Sequence, residues 1–136
     1  MSRFVLDCSV ATAWCFEDEA SAYSEAVLDR LSGDEALVPV LWPIEMGNVL
    51  FEAERKGRIS MAQSARLVEL LQGLPIVVDH GTTERGMDGV LALSRELRLS
   101  AYDASYLELA LREGLPLATR SDALLEAAKR CGVALV

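Results

Sequence analysis

Histidine is almost missing from this chain of 136 residues, where His80 is the single example. A zinc site built from histidine and cysteine needs several such ligands, and a Ser-His-Asp triad needs a histidine next to its nucleophile. The cysteines are odd in number and show no C-x-x-C spacing, so they predict no disulfide framework; they are Cys8, Cys15 and Cys131. Any metal in this protein is therefore expected to be bound through oxygen, and the cysteines are expected to lie in the core.

Long hydrophobic runs are also missing. The longest apolar stretch, residues 36–44, is interrupted by Pro39 and Pro43 and is much shorter than the ~20 residues that cross a bilayer. The apolar run before Asp7 is too short for the apolar part of a secretory signal. We therefore expect no membrane segment and a cytoplasmic protein.

Positive charge is scarce as well. Lysine and arginine number 13 against 21 aspartates and glutamates, a formal net charge of −8, which argues against nonspecific nucleic-acid binding through a basic surface. Clustering of the acidic residues in a cation-binding site would weaken that argument. Arginine supplies 11 of the 13 positive charges, and its planar guanidinium suits bidentate contacts with phosphate.

The order of the apolar segments predicts a single α/β domain over residues 1–136. Strands are predicted at 3–7, 36–40, 76–78, 115–119 and 133–136, and helices at about 20–32, 43–56, 60–72, 83–97, 100–113 and in a last segment ending at Gly132. The first apolar run is continuous, which is typical of a strand buried on both faces of a parallel sheet. Strands that alternate with one or two helices predict a three-layer α/β/α fold with a mainly parallel sheet.

Four acidic residues stand where the chain passes between these elements. Asp7, Glu45 and Asp122 follow predicted strands, whereas Asp103 follows a helix and forms a capping-box pattern with Ser100. The carboxyl ends of parallel strands meet at one rim of the sheet, so the first three side chains are expected to converge there. Asp7 and Asp103 are also compatible with a simple role in capping a helix.

Converging carboxylates predict a cation site. At short range they repel one another, and some of them stay protonated unless a cation neutralises the group. Mg²⁺ and Mn²⁺ prefer carboxylate and water oxygens, and such an ion can hold a phosphate, activate a water molecule or stabilise a leaving oxygen. The acidic residues therefore predict a Mg²⁺ or Mn²⁺ site at the rim of the sheet.

Four stretches of the chain carry a family resemblance: FVLDCSV (4–10), WPIEMGNVL (42–50), LSAYDASYLELA (99–110) and GLPLAT (114–119). They resemble, in order and over nearly the whole chain, the motif blocks of PIN-domain ribonucleases, and most of all those of VapC-type toxins of toxin-antitoxin pairs. The resemblance implies a five-stranded parallel sheet and cleavage of RNA phosphodiesters that depends on Mg²⁺ or Mn²⁺. It also implies an acidic site at Asp7, Glu45 and Asp103, with Ser9 as the small hydroxyl residue of the first motif.

The fourth acid departs from the family pattern. The family shows A-T-x-D, but Thr119 is followed here by Arg120 and Ser121 before Asp122 is reached. A shift of one residue turns a helical side chain by about 100°. We expect Asp122 to reach the site, with Ser121 capping the helix. In the other arrangement Ser121 faces the site and Asp122 is a solvated carboxylate in the first turn.

The reaction expected from the resemblance is in-line attack on an RNA phosphate by a metal-activated water. Asp7 and Asp103 are expected to hold the metal directly. Glu45 is expected either to ligate the metal or to orient the water, and Ser9 and Asp122 are expected to support the site from behind.

Candidate phosphate contacts are Arg120, beside the site, and the cluster of Arg55, Lys56 and Arg58. The cluster also fits the preference of a helix C-terminus for positive charge. Trp14 is a candidate for stacking on bases, for the core or for a partner surface, and the same alternatives hold for Trp42.

The resemblance further implies a homodimer that a cognate small antitoxin inhibits. A PIN fold without activity, serving only to bind a partner, is the main alternative, and metal-dependent cleavage by the purified protein would separate the two. A receiver-like phosphoacceptor switch would need a lysine beyond a late strand, yet Lys56 and Lys129 both lie in predicted helices. A phosphatase with an Asp-x-Asp pair would need an acid in place of Ser9.

Overall fold

The chain follows the alternating order of strands and helices that its sequence predicts. The computed structural model describes residues 2–81 and 86–136. Its strands are β1 (Arg3–Leu6), β2 (Glu35–Pro39), β3 (Ile76–Asp79) and β4 (Leu117–Ala118). Its helices are α1 (Cys8–Cys15), α2 (Ala22–Arg30), α3 (Trp42–Arg55), α4 (Met61–Gln72), α5 (Leu91–Leu97), α6 (Ala101–Glu113) and α7 (Asp122–Arg130). A 3-10 turn, Glu17–Glu19, follows α1, and a π-helical turn, Gly86–Val90, leads into α5.

The strands form one parallel sheet in the order β3-β2-β1-β4. Strand β1 is internal, and Phe4, Val5 and Leu6 are fully buried, as expected of an uninterrupted apolar run covered on both faces. Residues 104–110 of α6 are buried next to β1 and β2. The carboxyl ends of β1, β2 and β4 therefore meet at one rim of the sheet, where Asp7 follows β1.

The sheet has four strands where five were predicted. Residues 133–136 lie alongside β4 but join it through a single parallel bridge between Leu117 and Leu135. Leu117 donates its N–H to the carbonyl of Ala134 at 2.9 Å and accepts from Val136 at 3.0 Å. Because β4 itself is two residues long, it offers too little backbone for the last segment to build a longer ladder.

Helix α1 was not among the predicted helices, and only the alternative in which Asp7 caps a helix implied it. It begins directly after Asp7 and has the sequence CSVATAWC, in which Val10, Ala11 and Ala13 are buried. Eight residues rich in alanine, serine and threonine carry little hydrophobic periodicity, since such small side chains fit helices, strands and loops alike. Contacts of α1 with α2 and α3 supply the packing that the local sequence does not reveal.

The capping patterns in the sequence predicted where helices α4 and α6 begin. The N–H of Gln63 donates to Ser60 Oγ at 3.1 Å, and the N–H of Ser60 donates to Gln63 Oε1 at 2.7 Å, which completes the predicted box. Ser100 Oγ accepts from the N–H of Asp103 at 3.1 Å. The start of the helix predicted at 83–97 falls outside the described residues. Within the part of the chain that the structure describes, no helix is long and apolar enough to cross a membrane.

Candidate active site

Asp7 lies at the rim of the sheet, directly after β1, and is 5% exposed. The hydroxyls of Ser9 and Thr119 both donate to its Oδ2 at 2.7 Å. Asp7 stands at the N-cap position of α1, yet among the described residues its side chain makes no capping hydrogen bond. Its carboxylate is instead oriented by two hydroxyls on one oxygen, and across residues 2–81 and 86–136 the other oxygen, Oδ1, accepts no hydrogen bond.

Glu45 reaches the same rim from the first turn of α3. The hydroxyl of Tyr106, a residue that is 1% exposed, donates to Glu45 Oε1. Burial raises the pKa of Glu45, the hydrogen bond from Tyr106 opposes the rise, and the charges of Asp7 and Asp103 add to it. Burial and the neighbouring Glu45 also hold the pKa of Tyr106 far above its usual range, so the phenol remains the donor.

Asp103 enters the cluster from the first turn of α6, where Ser100 and not Asp103 provides the cap. Burial raises the pKa of the Asp103 carboxyl, and the charge of Asp7 raises it further. The structure therefore brings Asp7, Glu45 and Asp103 within electrostatic range of one another, although the spacing of the sequence alone did not place Asp103 on the rim.

The donor set of this cluster fits a hard divalent cation. It consists of carboxylate oxygens, which Mg²⁺ and Mn²⁺ prefer. Burial and the charges of neighbouring acids raise the pKa values of Glu45 and Asp103, and a nearby positive charge would favour their ionised forms. Within residues 2–81 and 86–136, no group of three or more histidine, cysteine, aspartate or glutamate side chains is arranged so that it could hold a metal ion. A cation here would rely on water to complete its coordination, as Mg²⁺ commonly does.

The fourth predicted acid, Asp122, stands at the start of the last helix. Asp122 is exposed and is the first residue of α7, and its charge is not among the causes that raise the pKa values of the other acids. Ser121 caps α7, since its Oγ accepts from the N–H of Leu124 at 3.3 Å. The N–H of Ser121 donates to Thr119 Oγ1 at 3.0 Å. Ser121 therefore caps the helix, as in the arrangement that we expected. Asp122 is solvated, as in the alternative arrangement.

Two of the predicted phosphate contacts, Arg120 and Arg58, are bound by residues of the turn Glu17–Glu19. The N–H of Arg120 donates to Ser9 Oγ at 3.0 Å, which places the residue beside the cluster. The Arg120 guanidinium donates to the backbone oxygen of Glu19 at 2.8 Å and to its Oε1 at 3.4 Å. Arg58 pairs with Asp18 at 3.0 Å and with Glu19 at 3.4 Å.

The remaining two candidates stay at the end of α3. Arg55 is the last residue of α3 and pairs with Glu52 of the same helix at 2.6 Å, while Lys56 is the C-cap residue. Positive charge at this position is favoured by the helix dipole. Their placement is therefore the one expected of cations that stabilise a helix C-terminus.

A cleft of about 460 Å³ opens beside Glu45. Leu41, Ile44, Asn48 and Tyr102 complete its lining. Tyr102 is 65% exposed, so its ring is available in the free protein. Exposed aromatic rings are the surfaces on which unstacked RNA bases are commonly held.

Sequence reasoning missed two residues of the site. Tyr106 lies three residues after Asp103 and so shares its face of α6, but a tyrosine among leucines and alanines is typical of the core. Thr119 was recognised only as part of a motif. Its position directly after β4 could have revealed it. Because β4 neighbours β1, a hydroxyl at this position lies next to Asp7, the residue that follows β1.

Comparisons with known proteins point to one family. The family model of the PIN domain matches residues 4–130. PAE2754 from Pyrobaculum aerophilum is 28% identical with a TM-score of 0.67, over 93% of this chain and 87% of that one. VapC20 from Mycobacterium tuberculosis, described as a sarcin-ricin loop cleaving toxin, is 14% identical with a TM-score of 0.64, over 98% of each chain. VapBC2 from Rickettsia felis, solved with a DNA fragment from its promoter, is 14% identical with a TM-score of 0.61, over 100% of this chain and 98% of that one. No curated protein matches this chain.

Proposed function

The chain belongs to the PIN-domain family, and we propose that it is a Mg²⁺- or Mn²⁺-dependent endoribonuclease that acts as the toxin of a toxin-antitoxin pair. The observation that carries the proposal is the cluster of Asp7, Glu45 and Asp103, in which burial and the charge of Asp7 raise the pKa values of Glu45 and Asp103. Such a cluster repels a phosphate until a cation neutralises it, and with a cation it becomes a site for phosphodiester hydrolysis. The described activity of VapC20 supports the choice of RNA.

The residues of the cluster have distinct roles in this proposal. Asp7 and Asp103 would hold the cation, and the two hydroxyls on Oδ2 of Asp7 keep that carboxylate oriented before the cation binds. Glu45, held by Tyr106, would either bind the cation or accept a hydrogen bond from the attacking water. The cation, when bound, would supply neutralisation of the phosphate and activation of water for in-line attack.

The surroundings of the cluster suit a single-stranded substrate. Tyr102 offers an exposed ring at the cleft beside Glu45, and Arg120 lies on the side of Ser9. A base stacked on the ring and a phosphate near the guanidinium would hold the RNA on both sides of the acidic cluster. Stacking in this way tolerates different bases, so it positions the strand without reading its sequence.

Exposed apolar surface supports the proposal of protein partners. A cleft of about 210 Å³ between α1, α2 and α4 is lined by Trp14, Cys15, Leu28, Leu67, Leu70, Leu71 and Leu74, and we propose it for the antitoxin. Ile44 and Phe51 on α3 are 75% and 59% exposed and are available to a second copy in a homodimer. Phe16 and Trp42 are each 7% exposed, so these two aromatic residues serve the core.

The cleavage test uses purified protein and RNA with Mg²⁺, with Mn²⁺ or with excess EDTA. We expect cleavage only with metal, and loss of cleavage in Asp7→Asn with the fold retained by circular dichroism. Asp29→Asn makes the same change on the exposed face of α2 and is expected to cleave like the unmodified protein. Undiminished cleavage in EDTA would contradict the proposal.

The partner proposals are tested separately. Light scattering at micromolar concentration is expected to give the mass of a dimer, and purification from the native host is expected to recover a small partner. Protein that recovers a partner but cleaves no RNA with either metal would favour an inactive PIN fold that only binds partners.

A further inference from the structure

One acidic side chain is shared between two arginines next to the active site. Glu19 ends the 3-10 turn Glu17–Glu19, and its Oε1 faces Arg120 while its Oε2 faces Arg58, each at 3.4 Å. Charge-assisted hydrogen bonds are normally about 2.7–2.9 Å long, so both contacts are loose. A single carboxylate therefore bridges two guanidiniums without binding either of them tightly.

Both arginines are held in place by contacts other than this carboxylate. The guanidinium of Arg120 donates to the backbone oxygen of Glu19 at 2.8 Å, and that of Arg58 pairs with Asp18 at 3.0 Å and lies 4.2 Å from the ring centre of Phe16. In the described part of the chain, Nε of Arg120 is buried and has no hydrogen-bond partner. If the side chain of Glu19 swung away, the two guanidiniums would stay where they are, facing the vacated position.

We propose that Arg58 and Arg120 form a binding site for a backbone phosphate of RNA and that the carboxylate of Glu19 fills this site while RNA is absent. The inference rests on the ribonuclease function proposed above. A phosphate carries oxygens that can accept from both guanidiniums at once, as the two oxygens of Glu19 now do. The three side chains are 28–40% exposed, so an anion from solvent can reach them and the carboxylate can move out.

The position of the site identifies which phosphate it would take. Arg120 is linked to Asp7 through Ser9, whose hydroxyl donates to Asp7 and accepts from the N–H of Arg120. Arg55, the last residue of α3, lies about 15 Å along the helix axis from Glu45, and Arg58 follows it in the chain. The phosphate would therefore lie outside the cleaved bond, on the part of the strand that leaves the acidic cluster past Arg120. Glu19 would act as an internal competitor that weakens binding of RNA long enough to place a phosphate between the two arginines.

The test measures binding without cleavage. A fluorescent single-stranded oligoribonucleotide is titrated in EDTA at several KCl concentrations, and anisotropy reports the Kd. Glu19→Gln is expected to bind about three- to fivefold more tightly than the unmodified protein, the size of effect that one partly exposed ion pair supplies. Its plot of log Kd against log KCl concentration is expected to keep the slope of the unmodified protein, because the arginines neutralise the same phosphate in both complexes.

Glu17→Gln is the matched control. It removes the same charge from the same turn, and within the described residues the carboxylate of Glu17 makes no ion pair; we expect it to bind RNA as the unmodified protein does. Adding Arg120→Gln to Glu19→Gln is expected to abolish the gain in RNA affinity. If melting shows that this double variant does not fold, Arg58→Gln is added to Glu19→Gln instead, and the same loss of the gain is expected. Equal affinities of Glu19→Gln and Glu17→Gln would overturn the inference and leave the ribonuclease proposal standing.

Inorganic phosphate provides a second probe, which separates the two proposals. Calorimetric titration is expected to show tighter phosphate binding by Glu19→Gln than by Glu17→Gln. Tighter phosphate binding by Glu19→Gln, together with no RNA cleavage by the unmodified protein in Mg²⁺ or Mn²⁺, would support the anion site and contradict the ribonuclease function. No difference between the two variants with either probe would overturn the anion site.

Discussion

The role of the Tyr106 hydroxyl can be tested by a substitution that removes a single oxygen atom. Tyr106→Phe keeps the buried ring and deletes only the group that donates to Glu45 Oε1. A hydrogen bond to a charged group contributes about 1.5–3 kcal/mol when buried. Because Glu45 is partly accessible and water can replace the lost donor, we expect a loss of about 1–2 kcal/mol in the free energy of unfolding. For a domain of this size that loss lowers the melting temperature by roughly 3–6 °C.

The deficit should grow with pH in the metal-free protein. The bond from Tyr106 lowers the pKa of Glu45 against the effects of burial and of the neighbouring acids, so its removal raises the pKa of Glu45 further. A carboxyl whose pKa is higher in the folded protein than in the unfolded one keeps its proton longer when folded, and stability is lost as pH rises from the ordinary value through the raised one. The difference between Tyr106→Phe and the unmodified protein is therefore expected to be larger near pH 7 than near pH 4.

Thermal unfolding in EDTA at both pH values measures this deficit, and RNA cleavage with Mg²⁺ measures its consequence for activity. We expect cleavage to slow about tenfold, because Glu45 loses the donor that orients it. Tyr102→Phe is the control, since it removes a hydroxyl from an exposed position of the same helix and keeps the ring. If Tyr106→Phe melts within about 1 °C of the unmodified protein at both pH values and cleaves equally fast, the argument that Tyr106 positions Glu45 is refuted.

Three further predictions follow from the same geometry. Asp7→Asn without metal is expected to melt a few degrees higher than the unmodified protein, because the other two acids lose a repelling neighbour, and Mg²⁺ is expected to narrow or reverse the difference; a lower melting point in EDTA would contradict this. With Asp122 exposed at the start of α7, Asp122→Asn is expected to match the unmodified protein across a Mg²⁺ titration of cleavage, with Ser121→Ala assayed beside it. A markedly higher Mg²⁺ requirement for Asp122→Asn would show that it reaches the site. Tyr102→Ala is expected to weaken binding of single-stranded RNA in EDTA about five- to fiftyfold, and an unchanged Kd would remove its ring from the proposed substrate contacts.

The sequence predicts those residues of the site whose positions follow from the general geometry of a parallel sheet. Asp7 and Glu45 follow strands of a parallel sheet, and the carboxyl ends of such strands share a rim. Asp103 obeys no such rule, because the direction of α6 across the sheet decides where its first turn lies. Only the resemblance of its motif to the PIN family placed it in the cluster in advance.

The parts that could not be predicted depend on packing between distant segments. The bond between Tyr106 and Glu45 joins residues 61 positions apart, and that between Thr119 and Asp7 joins residues 112 positions apart. Nothing in the local sequence distinguishes Tyr106 from an ordinary core tyrosine, since its ring is buried as the core requires and only its oxygen touches the site. The acidic turn around Glu19 was missed for the same reason, because its partners come from two other segments of the chain.

The net charge of −8 argues less strongly against RNA binding once the positions of the charged residues are known. Part of the acidic surplus belongs to the cluster, where a bound cation would reverse its effect on a phosphate, and Glu19 lies against Arg58 and Arg120. An acidic protein can bind RNA in this way only if attraction is confined to a few places and the rest of the surface repels the strand. Affinity in the proposed function then depends on metal, on base stacking and on displacement of Glu19, so binding should weaken less steeply with added salt than binding by a basic surface does.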